Sequence, residues 1–507
     1  MDRVDSSTEE EITVPLLLSV DEIIEQSIGR LNFTQILQII LVSLPSFFDS
    51  QQTFISVFAH AQPTWHCTGS NTSCASNSNL CDLSKTEWAW DSGNVYTSII
   101  SEWNLQCLGS IIAGMPGTAF FIGCFLGGLL LATLGDSSLG RKNLLCISSL
   151  VMSVAALASA FSPNVWVYSV FRFLCGIGRA PVAICALVLL TERVSKRWRA
   201  QAAMAGFVTF SLGILGLTGI AFLTRDFSWR TLYLWTSVPG IISSVLCYLF
   251  LYESPRWLLM QGREKDAMAV LRGLGSDTII SPSLLNAKTE QKLPKTNPFI
   301  SLKILLSRRW AVKRLIASML LAFGIGLIFF GMFLGVGNLG FDIYLTSVFN
   351  AILTLFSYLL TFLWWIQHCN RRSSLLGFCT ISGATCLIFS VMGTSHKGIL
   401  ISLEIVSLFC ASMANNLVLM YMVELFPTCV RNSGSSLVRQ AMILGSVFDP
   451  MLVMLGTKNI IYSYGTFGLV MLLCGFLVLW LSETRGKVLC DTMEEQELVD
   501  QDTKLLF

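Results

Sequence analysis

Twelve stretches of about 20 predominantly apolar residues, separated by short polar connections, leave this chain little choice of architecture. They fall near 33–59, 110–133, 143–162, 166–190, 202–222, 232–252, 311–335, 343–366, 375–393, 398–421, 434–456 and 462–482. A helix of that length crosses the hydrocarbon core of a bilayer, where backbone N–H and C=O groups must be satisfied within the segment itself. No segment alternates with a period of two, as the strands of a membrane barrel do. Each run is therefore predicted to be a membrane-spanning helix. Composition agrees, since 13% of the 507 residues are charged, against about 25% in ordinary soluble domains. The net charge of +2 says nothing about partners.

Short charged sequences between these runs occur twice. GDSSLGRKN (Gly135 to Asn143) and HCNRRSS (His368 to Ser374) each follow the second span of a six-span set. ERVSKRWR runs from Glu192 to Arg199 and ELFPTCVR from Glu424 to Arg431, with the same Glu-to-Arg spacing. The chain is thus predicted to be a duplication, an all-α membrane protein of two pseudo-symmetric six-helix halves, with a solute site between them near the bilayer midplane. The expected divisions are a cytosolic tail 1–32, a first half 33–252, a cytosolic connector 253–310, a second half 311–482 and a cytosolic tail 483–507. Within the connector, Trp257, Leu258, Ala267, Val270 and Leu271 recur at helical spacing among charges, which predicts one or two amphipathic helices beneath the bundle.

Lys and Arg concentrate in alternate connections: Arg141 and Lys142, Arg193 to Arg199, Arg256 to Arg314, Arg371 and Arg372, and Arg431. The positive-inside rule places these in the cytosol together with both termini. The opposite face receives the segment 62–110, in which Lys85 is the single basic residue. It carries Cys67, Cys74, Cys81 and Cys107 and the sequon Asn71-Thr72-Ser73. Four cysteines on a non-cytosolic face predict two disulfides in one of three pairings, and Asn71 is a predicted glycosylation site.

Taken together, GDSSLGRK, RFLCGIGRAPVA from Arg172, TERVSKRWRA, ESPRWLLMQGR and ELFPTCVRNSG resemble the major facilitator superfamily. With a long cysteine-bearing outer loop containing SEWNLQC, the combination resembles the organic cation/carnitine transporters, and FFDSQQTFISVFAHAQPTWHC from Phe47 to Cys67 is similar to the plant branch. Two departures stand out: Cys369-Asn370 replaces the Asp and Gly expected before the second Arg pair, and the loop has four cysteines where animal relatives usually have six. The resemblance implies alternating-access transport of organic cations or carnitine-like zwitterions, with proton coupling as an option and either the vacuolar or the plasma membrane as residence. Alternatives are a same-fold carrier of another solute class, such as a sugar or organic anion, and a solute receptor without turnover.

The resemblance also implies a cytoplasmic gate, in which a loop Arg docks on acidic helix ends while the carrier faces outward. Arg141 and Asp136 would face Glu192 in the first half, and Arg371 or Arg372 would face Glu424 in the second, with Gly140, Lys142, Arg199 and Arg431 also assigned to the gate. Ionisable residues within spans are the substrate and coupling candidates, because a charge at membrane depth is costly and faces a cavity or a partner. Asp49 in span one and Arg172 in span four match by motif context the proton pair of proton-coupled sugar porters. Glu404 and Asp449 are expected at similar depth, where two carboxylates would attract a cation. Arg439 marks either an anionic substrate group or a boundary residue. Phe329, Phe330, Tyr344, Tyr358 and Phe448 are candidate wall residues for cation–π contact with a quaternary ammonium. No G-x-x-x-x-G-K loop, metal-ligand spacing or nucleophile–base constellation occurs, so an ATP-driven pump, a metal site, a cofactor and an enzyme are not expected.

Overall fold

The computed structural model describes residues 32–68, 80–84, 86–91, 95–131, 139–274, 298–339, 341–392, 397–427, 429–457, 459–485, 490 and 492–498. Twelve helices among them are long and apolar enough to cross a membrane. In the first half these are α1 (Phe33–Ala59), α2 (Ser110–Leu131), α3 (Arg141–Ser159), α4 (Val165–Glu192), α5 (Gln201–Leu223) and α6 (Trp229–Phe250). The second half contains α7 (Arg309–Gly337), α8 (Ile343–His368), α9 (Arg371–Met392), α10 (Gly398–Leu425), α11 (Arg431–Gly456) and α12 (Ile461–Trp480). In the connector, Pro255–Met260, Glu264–Gly273 and Pro298–Ser307 are short helices, and Trp257, Leu258, Ala267 and Leu271 are buried as their spacing predicts.

Glycine sets how closely the helices approach, since lipid gives no hydrophobic drive for one helix to leave it for another. A Cβ at Gly123 of α2 would lie 2.1 Å from the carbonyl oxygen of Phe173, and one at Gly176 of α4 would lie 2.0 Å from that of Phe120. The duplication appears in the same packing detail. A Cβ at Gly213 of α5 would collide with the carbonyl oxygen of Phe47 on α1, and one at Gly445 of α11 with that of Phe323 on α7. Gly213 and Gly445 are separated by 232 residues, as are Glu192 and Glu424. One backbone approach is therefore used in both halves.

The halves meet along α5 against α8 and α2 against α11. Outside the bundle, β1 (Trp65–Cys67) pairs antiparallel with β2 (Trp88–Trp90), placing Trp65 opposite Trp90. Cys81 and Cys107 form a disulfide, and Cys67 is disulfide-bonded as well. Cys74 and Asn71 lie outside the described residues. The loop is anchored by Glu102, which accepts a hydrogen bond from Trp229 Nε1 (2.6 Å) and pairs with Arg230 at the start of α6.

Candidate functional site

Asp49 projects from α1 at a level where the helix surface is polar: Ser46, Ser50, Gln51, Gln52 and Thr53 are all buried there. Its partner is Arg179, whose Nε lies 2.5 Å from Asp49 Oδ1. Arg172 does not make that pair. It stands two turns earlier on the same stripe of α4, fully buried, with Nη2 donating to the Gln52 carbonyl (3.1 Å) and the guanidinium 4.3 Å from the centre of the Phe120 ring. The expected Asp49–Arg172 pair is therefore corrected to Asp49–Arg179. Residues seven apart on a helix share a face but differ in depth by about 10 Å, and counting from span ends does not separate them when the ends are uncertain by a turn.

Arg439 belongs to the opposite half, on α11, yet lies within electrostatic reach of both Arg179 and Asp49. Asp49, Arg179 and Arg439 are thus electrostatically coupled across the two halves, and the Arg172 guanidinium lies on the same Phe120 ring as that of Arg179 (4.3 and 5.9 Å), so positive charge is in excess. Above them is an aromatic roof that also crosses the halves. Phe330 of α7 lies 5.9 Å from the Arg179 guanidinium and packs on Phe54 of α1 (6.0 Å) and Phe121 of α2 (5.5 Å), while Phe333 packs on Phe54 at 4.7 Å. Phe329 stacks edge-on against Phe330 and Phe333, behind the roof. Farther out, Tyr344 of α8 is sandwiched between Phe58 and Phe222 of the first half, each with ring centres 5.6 Å away. Tyr344 therefore closes the outer side and does not line the central cluster. Tyr358 is buried at the α5–α8 contact against Phe207 (5.1 Å).

Three other expected cavity residues point elsewhere. Glu404 is 2% exposed and accepts a hydrogen bond from Asn350 Nδ2 of α8 (3.1 Å), inside the second half. Asp449 is fully buried against Gly331 of α7 and Phe467 of α12. Phe448 is 47% exposed, like Leu444 and Leu455 (38% each), and belongs to an outward-facing apolar stripe of α11. Similar depth along two helices says nothing about facing direction, and α11 is interrupted at Val447–Phe448 just before Pro450, which shifts the register of everything after it.

At the ends of the spans that carry the charged loops, the two halves repeat two contacts. Glu253 accepts from the backbone N–H of Lys142 through both oxygens (3.1 Å each), and Glu483 accepts from those of Arg371 (2.9 Å) and Arg372 (3.0 Å). A carboxylate thereby caps the first turn of α3 and of α9, where the helix presents free N–H groups and the positive end of its dipole. Glu192 accepts from Ser254 Oγ (2.5 Å), and Glu424 accepts from Thr484 Oγ1 (2.6 Å). Arg371 Nη2 pairs with Glu424 Oε1 at 3.4 Å. Arg141 and Arg199 each open a helix, Arg431 Nε donates to the Phe426 carbonyl (3.2 Å), and Asp136 lies outside the described residues. Gly140 adopts φ +82°, and a Cβ there would stand 2.4 Å from Glu253 Oε2. Asn370 does not take a positive φ, so the second loop enters α9 without needing glycine.

Glu253 and Glu483 are absent from the sequence-derived gate, although a signal exists. Leu-Tyr-Glu-Ser (251–254) and Leu-Ser-Glu-Thr (481–484) are 230 residues apart, the same interval that separates Arg141 from Arg371.

Residues 47–495 match the model of the sugar (and other) transporter family. Over 494 residues, 96% of this chain and 95% of the relative, the sequence is 47% identical to organic cation/carnitine transporter 3 of Arabidopsis thaliana. The chain belongs to the organic cation/carnitine transporter family of the major facilitator superfamily. Another family member, organic cation/carnitine transporter 2 of Arabidopsis thaliana, is 46% identical over 504 residues, covering 96% of this chain and 95% of its own. The mouse organic cation/carnitine transporter 2 is 31% identical over 412 residues, 80% of this chain and 73% of its own. Among solved structures, the inward open xylose transporter XylE from E. coli superposes with a TM-score of 0.68 at 15% identity, covering 92% of this chain and 99% of that one. At that identity the likeness is one of fold, and the fold is that of a major facilitator transporter.

Proposed function

We propose that the protein carries carnitine-like zwitterions and organic cations across a membrane by alternating access. The carboxylate of a zwitterion is held between Arg439 and Arg179, and its quaternary ammonium lies under the rings of Phe330 and Phe54. The observation that carries this reading is the convergence of Asp49, Arg179 and Arg439 from both halves beneath an aromatic roof. An excess of positive charge in a low-dielectric cleft favours an anionic group, whereas aromatic faces attract a cation by about 0.5 to 2 kcal/mol each. A zwitterion satisfies both. The names of the relatives, organic cation/carnitine transporters, supply the substrate class.

The repeated cytoplasmic arrangements serve as the locks of the cycle. Each is partly exposed, so each contributes about 0 to 1 kcal/mol, enough to bias two states without trapping either. The test is counterflow of labelled L-carnitine and tetraethylammonium in proteoliposomes of the full chain. Exchange of both, unaffected by excess xylose, supports the reading. Binding without exchange means a receptor, and inhibition by xylose or by a simple organic anion alone means another solute class.

A further inference from the structure

The second half contains a carboxylate that no group among the described residues neutralises. Asp449 is 0% exposed, and neither of its oxygens has a hydrogen-bond partner among the described residues. At Gly331 of α7, a Cβ would stand 3.1 Å from Asp449 Oδ1 and 2.5 Å from the Phe467 ring. The elements packed on the segment Asp449–Gly456 are α2, α7 with its end Gly335–Leu339, and the first turn of α12. The titratable groups on these are Cys124 of α2, three cations of α7, and the exposed Tyr462 and buried Tyr464 of α12; Tyr464 faces the α7 surface on which Asp449 lies. Its hydroxyl is also buried without a partner and lies 3.5 Å from the Cβ position of Gly335, one turn along the same face of α7, with Glu404 acting on it from α10. The α7 cations Arg309, Lys313 and Arg314 precede Gly331 by 17 residues or more, about 25 Å along the helix. Arg439 is ten residues before Asp449 on α11 itself, about 15 Å away.

A carboxylate sealed in such surroundings requires a compensating positive charge. A metal ion would need a shell of ligands, and no group of three or more His, Cys, Asp or Glu side chains that could supply one occurs among the described residues. A proton needs no such shell.

The site also lies beside a contact between the halves. The Pro450 carbonyl oxygen is 2.9 Å from the Cβ position of Gly114, Pro450 Cγ is 2.7 Å from that of Gly117, and Ser110 Oγ donates to the Met454 carbonyl (3.2 Å). Pro450 follows Asp449 directly in the chain, so the charge state of Asp449 bears on the segment against which α2 packs.

We propose that Asp449 is a proton-binding site separate from the substrate cleft, and that taking up a proton is the condition for closing α2 over Pro450. Deprotonated, it holds the outer side open; protonated, it permits the buried arrangement seen here. The inference extends the alternating-access reading and places no part of the substrate at Asp449.

The test uses purified full-length wild type, Asp449→Asn and Asp449→Glu. Infrared spectra report the carbonyl stretch of a protonated carboxyl, and proteoliposome uptake of labelled L-carnitine is followed as the outer pH is stepped from alkaline to acid. Wild type and Asp449→Glu are expected to show the band, and uptake should rise on acidification by up to about tenfold per pH unit, the slope of one proton. Asp449→Asn is expected to lose the band assigned to this group and to take up carnitine independently of outer pH. An unchanged band in Asp449→Asn, or retained pH dependence, overturns the proposal, as does uptake that follows a sodium gradient and ignores pH. If Asp449→Asn does not accumulate, Asp449→Glu decides: a protonated-carboxyl band shifted from that of wild type supports the proposal, and an identical band, or none in wild type, overturns it. If no variant transports carnitine while the band behaves as stated, the proton site stands and the substrate reading fails.

Discussion

Asp49 and Arg179 should be energetically coupled, and Asp49 and Arg172 should not. The pair at 2.5 Å has side chains 1% and 10% exposed, so removing one member leaves an uncompensated charge in a largely dry site, a loss of about 3 to 5 kcal/mol for a buried pair. Arg179 borders the cleft and is the more accessible partner, which places Asp49→Asn near the lower figure, about 3 kcal/mol. Removing both charges together relieves most of that penalty. A double-mutant cycle of Asp49→Asn with Arg179→Gln is therefore expected to give a coupling of about 1.5 to 3 kcal/mol, and the cycle with Arg172→Gln less than about 0.5 kcal/mol. Thermal unfolding of the four purified proteins in each cycle, in one detergent, measures the difference. The opposite order would refute the assignment, returning Arg172 as the partner of Asp49 and removing Arg179 from the site.

Gly140→Ala should destabilise the protein by about 1 to 3 kcal/mol, because alanine is strained at φ +82° and its methyl meets Glu253. Asn370→Gly, at the equivalent loop, should change stability by less than about 1 kcal/mol. Thermal unfolding of the two variants compares them, and equal losses would contradict the cap geometry. Asn71 should carry an N-linked glycan in a eukaryotic host, and none of Cys67, Cys74, Cys81 and Cys107 should react with a thiol reagent applied from the cytosol before reduction. A glycosidase that produces no mobility shift, with all four thiols labelled, would invert the orientation.

The sequence is most legible where a repeated physical constraint writes it. Apolar length gives the twelve spans, and recurring charges give the two halves, because lipid and topology act on every span alike. The charged helix ends are half legible. Arg371 and Glu424 carry opposite charges and form an ion pair, but Glu253 and Glu483 act through backbone N–H groups and have no charged partner in the sequence to advertise them. The interior is the least legible part. Arg172 and Arg179 occupy one stripe of α4, and two turns of depth decide which meets Asp49. Glu404 and Asp449 are equally polar in sequence whether they face the cleft or the inside of their own half, and the break before Pro450 decides that direction for Asp449. Arg439 gains its meaning only across the interface between halves, a relation that no helix period contains.

Discrimination between a zwitterion and a simple cation tests the central claim most directly. Arg439→Gln keeps the stem and polarity of the side chain and removes the charge that faces Asp49 and Arg179 across the halves. A hydrogen bond to a charged group is worth about 1.5 to 3 kcal/mol, so half-saturation for L-carnitine in counterflow should rise about 10- to 150-fold, while that for tetraethylammonium, which has no carboxylate, should change little. Equal loss for both substrates, or no loss for carnitine, would contradict a carboxylate seat at Arg439.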